Sequence, residues 1–182
     1  MLDKEGEIMM EANKADQLNS IQNVLKSLSN HELSQISYLL SLYQASSTDE
    51  HATHIPMHFL GRFLGIQQNE DGTTEMKLGI QNENTYGVAQ GGSIYTLADV
   101  AIGFNILKSL EEGEKVFTLE LKVNFIKKGQ GARLIASPTI LYQGKNTVVS
   151  ECDITDEKGS LIAKALGTFY LHSADGSHLH RR

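Results

Sequence analysis

Residues 84 to 99 hold most of the groups that could do chemistry. Gly91 and Gly92 open an apolar run, GGSIYTLADVAIGFNILKSL, and Asp99 stands midway along it. With no Cβ, two adjacent glycines let another molecule approach the backbone closely. At the start of a helix the first amides have no internal partner. Those amides and the positive end of the helix dipole suit an oxyanion. Burying a lone carboxylate is costly unless it is paired or hydrogen-bonded, so Asp99 needs a reason to be there. It is either a base or nucleophile, or a structural carboxylate bonded to neighbouring backbone. One short segment thus offers an oxyanion donor and a carboxylate, the two groups that attack on an acyl carbonyl requires. Each has a bland reading when taken alone. A glycine pair allows tight helix–sheet packing, and Asn84 is a turn residue.

The elements that must position these groups follow from periodicity. Ile94, Leu97, Ala98, Ala101, Ile102, Phe104, Ile106 and Leu107 cover most faces of a helix, and such a helix is buried. Gly113 ends the run. Before it, strands are expected over 58 to 67 and 73 to 81, around the turn Asn69-Glu70-Asp71-Gly72. After it, Phe117, Leu119, Leu121, Val123 and Phe125 alternate with Thr118, Glu120, Lys122 and Asn124. That is the pattern of a half-buried strand, apolar on one face. Residues 132 to 142 form the next strand, with Pro138 marking an edge or bulge. Strands over 147 to 155 and 160 to 171 complete the set. The turns between these strands are short, which implies antiparallel neighbours. Residues 57 to 171 are therefore expected to form an α+β domain, a bent antiparallel sheet wrapped around one long buried helix.

The first 50 residues read as a helical extension. Leu18, Ile21, Leu25 and Leu28 keep helical spacing, as do Leu33, Ile36, Leu40 and Tyr43. Ser29-Asn30-His31-Glu32 between them has the form of a capping box. Acidic residues outnumber Lys4, Lys14 and Lys26 there, the wrong balance for phosphate contacts. A packing or dimer-bracing appendage is the expectation. Residues 46 to 54 read as a linker, Pro56 as entry into extended chain, and 172 to 182 as a disordered tail. The 182-residue length suits one domain plus an appendage, and the net charge of −6 argues against nucleic-acid binding. No run is long enough to cross a membrane. The lone Cys152 reads as core, and a reducing cytoplasm is the simplest setting. No metal-ligand spacing and no cofactor motif stand out. Ser93 lacks a Gly-x-Ser-x-Gly elbow, and His54 and His58 read as surface or strand residues.

The stretch NTYGVAQGGSIYTLADVA resembles the signature of hotdog-fold thioesterases of the PaaI-like group. Asn84, Gly87, Gly91 and Asp99 match it in identity and spacing. Thr118, on VFTLELKVNFIKKGQG, takes the place of a small hydroxyl residue near the site. The resemblance spans about residues 57 to 171. It departs at Gln90, where the family has histidine; glutamine still donates a hydrogen bond but carries no proton at neutral pH.

What the resemblance implies is an acyl-CoA thioesterase with a site shared between two subunits. Asn84 and Gly91 come from one, Asp99 and Thr118 from its partner. Asn84 positions the carbonyl or the loop, and Thr118 bonds the attacking water or the Asp99 carboxylate. Gln90 and Gly92 lie beside the thioester. Lys122, Lys127, Lys128 and Arg133 are candidates to meet coenzyme A phosphates, with a solvated face as the alternative for each. Geometry agrees with a shared site. Eight residues of helix rise about 12 Å, whereas catalytic groups act within about 3 Å of one reacting atom. The expected assembly is a homodimer or a dimer of dimers. The runner-up is a hotdog module that binds acyl-CoA or another apolar ligand without cleaving it. A hotdog dehydratase would need a histidine with an acidic partner, and no such pair is evident.

Overall fold

The structure, a computed structural model, describes residues 4–47, 57–111 and 113–172. His54, Pro56 and the tail from residue 173 lie outside the described residues. The chain divides into two compact units after Leu40.

In the first unit, α1 (Lys4–Lys26) runs 23 residues and α2 (Asn30–Ser47) begins after a short turn. The capping box forms as read. The Ser29 amide donates to Glu32 Oε2 at 2.8 Å, and the Glu32 amide faces Ser29 Oγ at 3.4 Å. Each side chain satisfies an amide that the helix start leaves open.

The second unit contains α3 (Phe59–Leu64), β1 (Ile66–Gln68), β2 (Thr74–Lys77), α4 (Gly91–Leu107), β3 (Lys115–Phe125), β4 (Arg133–Gln143), β5 (Thr147–Asp156) and β6 (Leu161–His172). All strands join one antiparallel sheet in the order β1-β2-β4-β5-β6-β3. The sheet packs on α4, whose Leu97, Ile102 and Ile106 are fully buried. Burying each such side chain contributes roughly 1.5–3 kcal/mol. This is the expected hotdog arrangement. Cys152 belongs to the core, and burial pushes its thiol up to about 12.

Four expectations need correction. The strand expected over 58–67 is mostly α3. The His58 side chain caps its first turn, and Gly65, at φ 72°, ends it in the left-handed region, which leaves only β1 for the strand. The strand expected over 73–81 stops at Lys77, because Asn82 captures the chain beyond it. Asn82 is buried; its Nδ2 donates to Leu64 O and Lys77 O, and its Oδ1 accepts from Gly79 N. Third, β3 and β4 are not neighbours. β3 pairs with β6 at the sheet edge, and residues 126–132 carry the chain across to β4.

The fourth correction concerns β3 itself. Its apolar alternation does not describe one face, because a bulge at Leu119 breaks the ladder between Thr118 and Glu120. Pro138 sits as expected. β2 covers β4 only from Arg133 to Ala136, so Pro138 has a single neighbour strand, β5.

Candidate active site

The acid half of the site is built by α4 and β3. Asp99 is half-buried on α4. Residues opposite each other on a ladder share a face. Before the bulge, Val116 and Thr118 oppose buried Leu171 and Phe169; after it, Leu121 and Val123 oppose buried Gly167 and Ala165. Thr118 and Leu121 are three apart and would face opposite ways on a regular strand. The extra residue turns both toward the helix, as bulges do when they re-aim a side chain. Thr118 Oγ1 then donates to Asp99 Oδ1 at 2.7 Å. The pair lines a cleft of about 300 Å³ together with His58, Gly103, Phe104 and Phe169.

The candidate oxyanion donors lie at the start of the same helix. Gln90 is the N-cap residue in extended conformation, and its side chain makes no cap bond. The amides of Ser93 and Ile94 both turn back to Gln90 O. Among the described residues, no acceptor is paired with the Gly91 or Gly92 amide. Gly91 lines a second cleft, of about 330 Å³, with Ile94, Phe125, Lys127 and Lys128. Unpaired amides, the helix dipole and two lysines make this end of α4 attractive to an anion.

The loop that delivers α4 is tightly tied. The Gln90 amide donates to Asn82 O at 2.8 Å, and the Ala89 amide to Gly129 O at 2.9 Å. Asn84 Oδ1 accepts from the Tyr86 amide at 2.9 Å and faces the Val88 amide at 3.4 Å. Gly87 turns the loop with φ 67°, a conformation that costs a side-chain-bearing residue about 1 kcal/mol or more.

The two clefts share no lining residue. Within one chain the structure brings Asp99 and Thr118 together, and separately Gly91, Lys127 and Lys128. Asn84 holds the loop through its side-chain oxygen. Gln90 Oε1 lies close to Gly92, within 2.9 Å of where a Cβ there would stand. Lys122 opposes Leu166 on the outer face of the sheet and lines neither cleft. Two residues escaped the sequence reading. Asn82 pins the entry to α4, and its only sequence signal is a second asparagine two places before Asn84. His58, read from the sequence only as a surface or strand residue, shares the Asp99 cleft, 41 residues away in sequence.

Comparison with known proteins bears on the same segment. A model of the thioesterase superfamily matches residues 86–163, a stretch that includes Gly91, Asp99 and Thr118. The chain is 35% identical over 77 residues to the 1,4-dihydroxy-2-naphthoyl-CoA hydrolase of Listeria monocytogenes, covering 42% of this chain and 63% of that protein, less than two thirds of it. It is similar to a Bacillus halodurans protein crystallised with CoA, with a TM-score of 0.70 and 25% identity over 85% of this chain and 99% of that one. A Haemophilus influenzae thioesterase shares the fold, with a TM-score of 0.63 and 21% identity over 75% of this chain and 94% of that one.

Proposed function

We propose that this chain, which belongs to the hotdog-fold thioesterase superfamily, hydrolyses acyl-coenzyme A at a site that two copies share. A thioester hydrolase needs an oxyanion donor at the carbonyl and a group that activates water or attacks. The Gly91 amide supplies the first and Asp99 the second. Thr118 holds the carboxylate in one orientation, and Asn84 holds the loop that presents the amide. Lys127 and Lys128 flank the oxyanion half, where they meet coenzyme A phosphates.

The observation that carries the reading is the separation of the two halves. The amide opens α4 and the acid lies two turns along it, in different clefts. A rise of about 12 Å keeps them from acting on one carbonyl. Two copies related by a two-fold axis bring the amide of each against the acid of the other, giving two equivalent sites.

Release of free coenzyme A from a panel of acyl-CoAs tests this reading. Asp99→Ala is expected to lower kcat by about 10² to 10⁴ on the best substrate, with the fold unchanged by circular dichroism. Equal turnover by that variant would remove Asp99 from the chemistry. Gln90 favours a second reading, a module that binds acyl-CoA without cleaving it, because glutamine carries no proton at neutral pH. Tight binding with no coenzyme A release from the wild type would decide for it.

A further inference from the structure

Residues 126–132, which carry the chain from β3 to β4, pass the start of α4 on the way, where Lys127, Lys128 and Gly129 line the Gly91 cleft. Three sets of hydrogen bonds hold this segment. At its beginning the Ile126 and Lys127 amides donate to Ile162 O at 2.8 and 3.0 Å. In its middle Gly129 O accepts from the amide of Ala89 at 2.9 Å, two residues before Gly91. At its end the Ala132 and Arg133 amides donate to Glu157 Oε2 at 2.8 and 3.3 Å. Among the described residues, Glu157 is the one side chain that bonds this stretch of backbone.

The surroundings are shaped to these bonds. Gly129 is buried, and a Cβ there would stand 2.9 Å from the Ala89 Cβ, closer than non-bonded carbons pack. Only glycine lets the segment press so tightly on the loop before α4. Gly131 turns at φ 110°, and a Cβ there would stand 2.8 Å from Glu157 Oε1. Glu157 belongs to the turn between β5 and β6. There Asp156 Oδ1 accepts from the Lys158 and Ser160 amides at 2.9 and 2.8 Å, which closes the turn that presents the carboxylate. Arg133, whose amide Glu157 binds, sends its guanidinium to Glu75 at 3.1 Å instead. The Glu157 carboxylate thus addresses backbone.

We propose that Glu157 is a positioning residue for the Gly91 amide. Its carboxylate sets the end of the crossing segment. The segment sets Ala89 through Gly129 O, and Ala89 sets the loop that delivers Gly91. This inference rests on the thioesterase reading. The path runs within one chain, so it does not depend on what a second copy brings to the acid side. Glu157 is exposed, and water replaces part of what its loss removes. The expected effect is therefore about tenfold in kcat, below the hundredfold or more of losing the amide itself.

The test is steady-state kinetics of Glu157→Ala and Glu157→Gln, with Glu157→Ala repeated in the Gly91→Pro background. Substrates are the best acyl-CoA and the N-acetylcysteamine thioester of the same acyl group, which carries no phosphate. Glu157→Ala is expected to lower kcat about tenfold on both, with KM within about twofold. Glutamine keeps an acceptor oxygen, so Glu157→Gln is expected to stay within about twofold of the wild type. With the Gly91 amide already gone, Glu157→Ala is expected to cost no more than about twofold further. An unchanged kcat in Glu157→Ala overturns the inference. So does a loss confined to KM for the acyl-CoA, which moves the effect to the lysines. A Glu157→Gln as slow as Glu157→Ala overturns it too, since charge and not the hydrogen bond is then at work. An equal tenfold loss in both backgrounds does the same. Full activity of Gly91→Pro, or a wild type that cleaves no thioester, overturns the thioesterase reading instead, and the inference with it.

Discussion

At the scale of single residues, the proposed chemistry rests on one hydrogen bond. Thr118 donates to Asp99 at 2.7 Å, which leaves the other carboxylate oxygen to address water or the carbonyl. Thr118→Val keeps the shape of the side chain and removes the donor. We expect kcat to fall about tenfold with KM nearly unchanged, read by steady-state kinetics on the best acyl-CoA. A rise in KM alone would make Thr118 a wall of the cleft and nothing more. The pairing of these residues was legible only through the family resemblance. Taken alone, the alternation from Phe117 to Phe125 put Thr118 on the polar side of the strand. The bulge that reverses this has no sequence mark, since Leu119 is as apolar as its neighbours. His58 was illegible for a different reason. It reaches the cleft through α3, a helix of six residues, too short for periodicity to reveal.

At the scale of elements, α4 carries both proposed groups, the amide at its start and the acid two turns along it. Its first amide is the proposed oxyanion donor, and a backbone group is removed only by proline. Gly91 is the first helical residue, where proline fits without strain, and Gln90 before it is already extended at φ −68° and ψ 137°, as a residue before proline prefers. A Cβ at Gly91 would meet the Phe125 ring no closer than 3.4 Å. Gly91→Pro should therefore fold and lose about a hundredfold or more in kcat; a fully active variant would place the oxyanion elsewhere. The capping box of α2 carries a pH prediction. The Ser29 hydroxyl, then its amide, hold the Glu32 carboxyl below its usual range. A depressed folded-state pKa stabilises above the unfolded value, and the contribution is lost as pH falls through the lowered one. Amide exchange in the first turn of α2 should quicken on acidification in the wild type and respond less in Ser29→Ala. A matching response in both would leave the box without effect. The helices and the later strands were legible because their periods run long. β1 and β2 were overdrawn because Asn82 and Gly65 act through tertiary bonds and a left-handed turn. The pairing of β3 with β6 was hidden, since seven linking residues resemble a hairpin and instead cross the sheet.

At the scale of the whole molecule, the proposed reading makes one chain an incomplete device. β3 is an edge strand of 11 residues. Phe117, Leu119 and Phe125 on it are each more than half exposed. An 11-residue edge without proline leaves backbone groups open to another strand, and under the proposed reading a second copy of this chain meets it. The most direct measurement mixes two inactive chains. Differently tagged Asp99→Ala and Gly91→Pro chains are combined, and the mixed dimer is isolated. One of its two sites then joins an intact Gly91 amide to an intact Asp99. The account predicts about half the wild-type turnover per dimer, against near-background rates for either parent. A mixed dimer as inactive as its parents would contradict it.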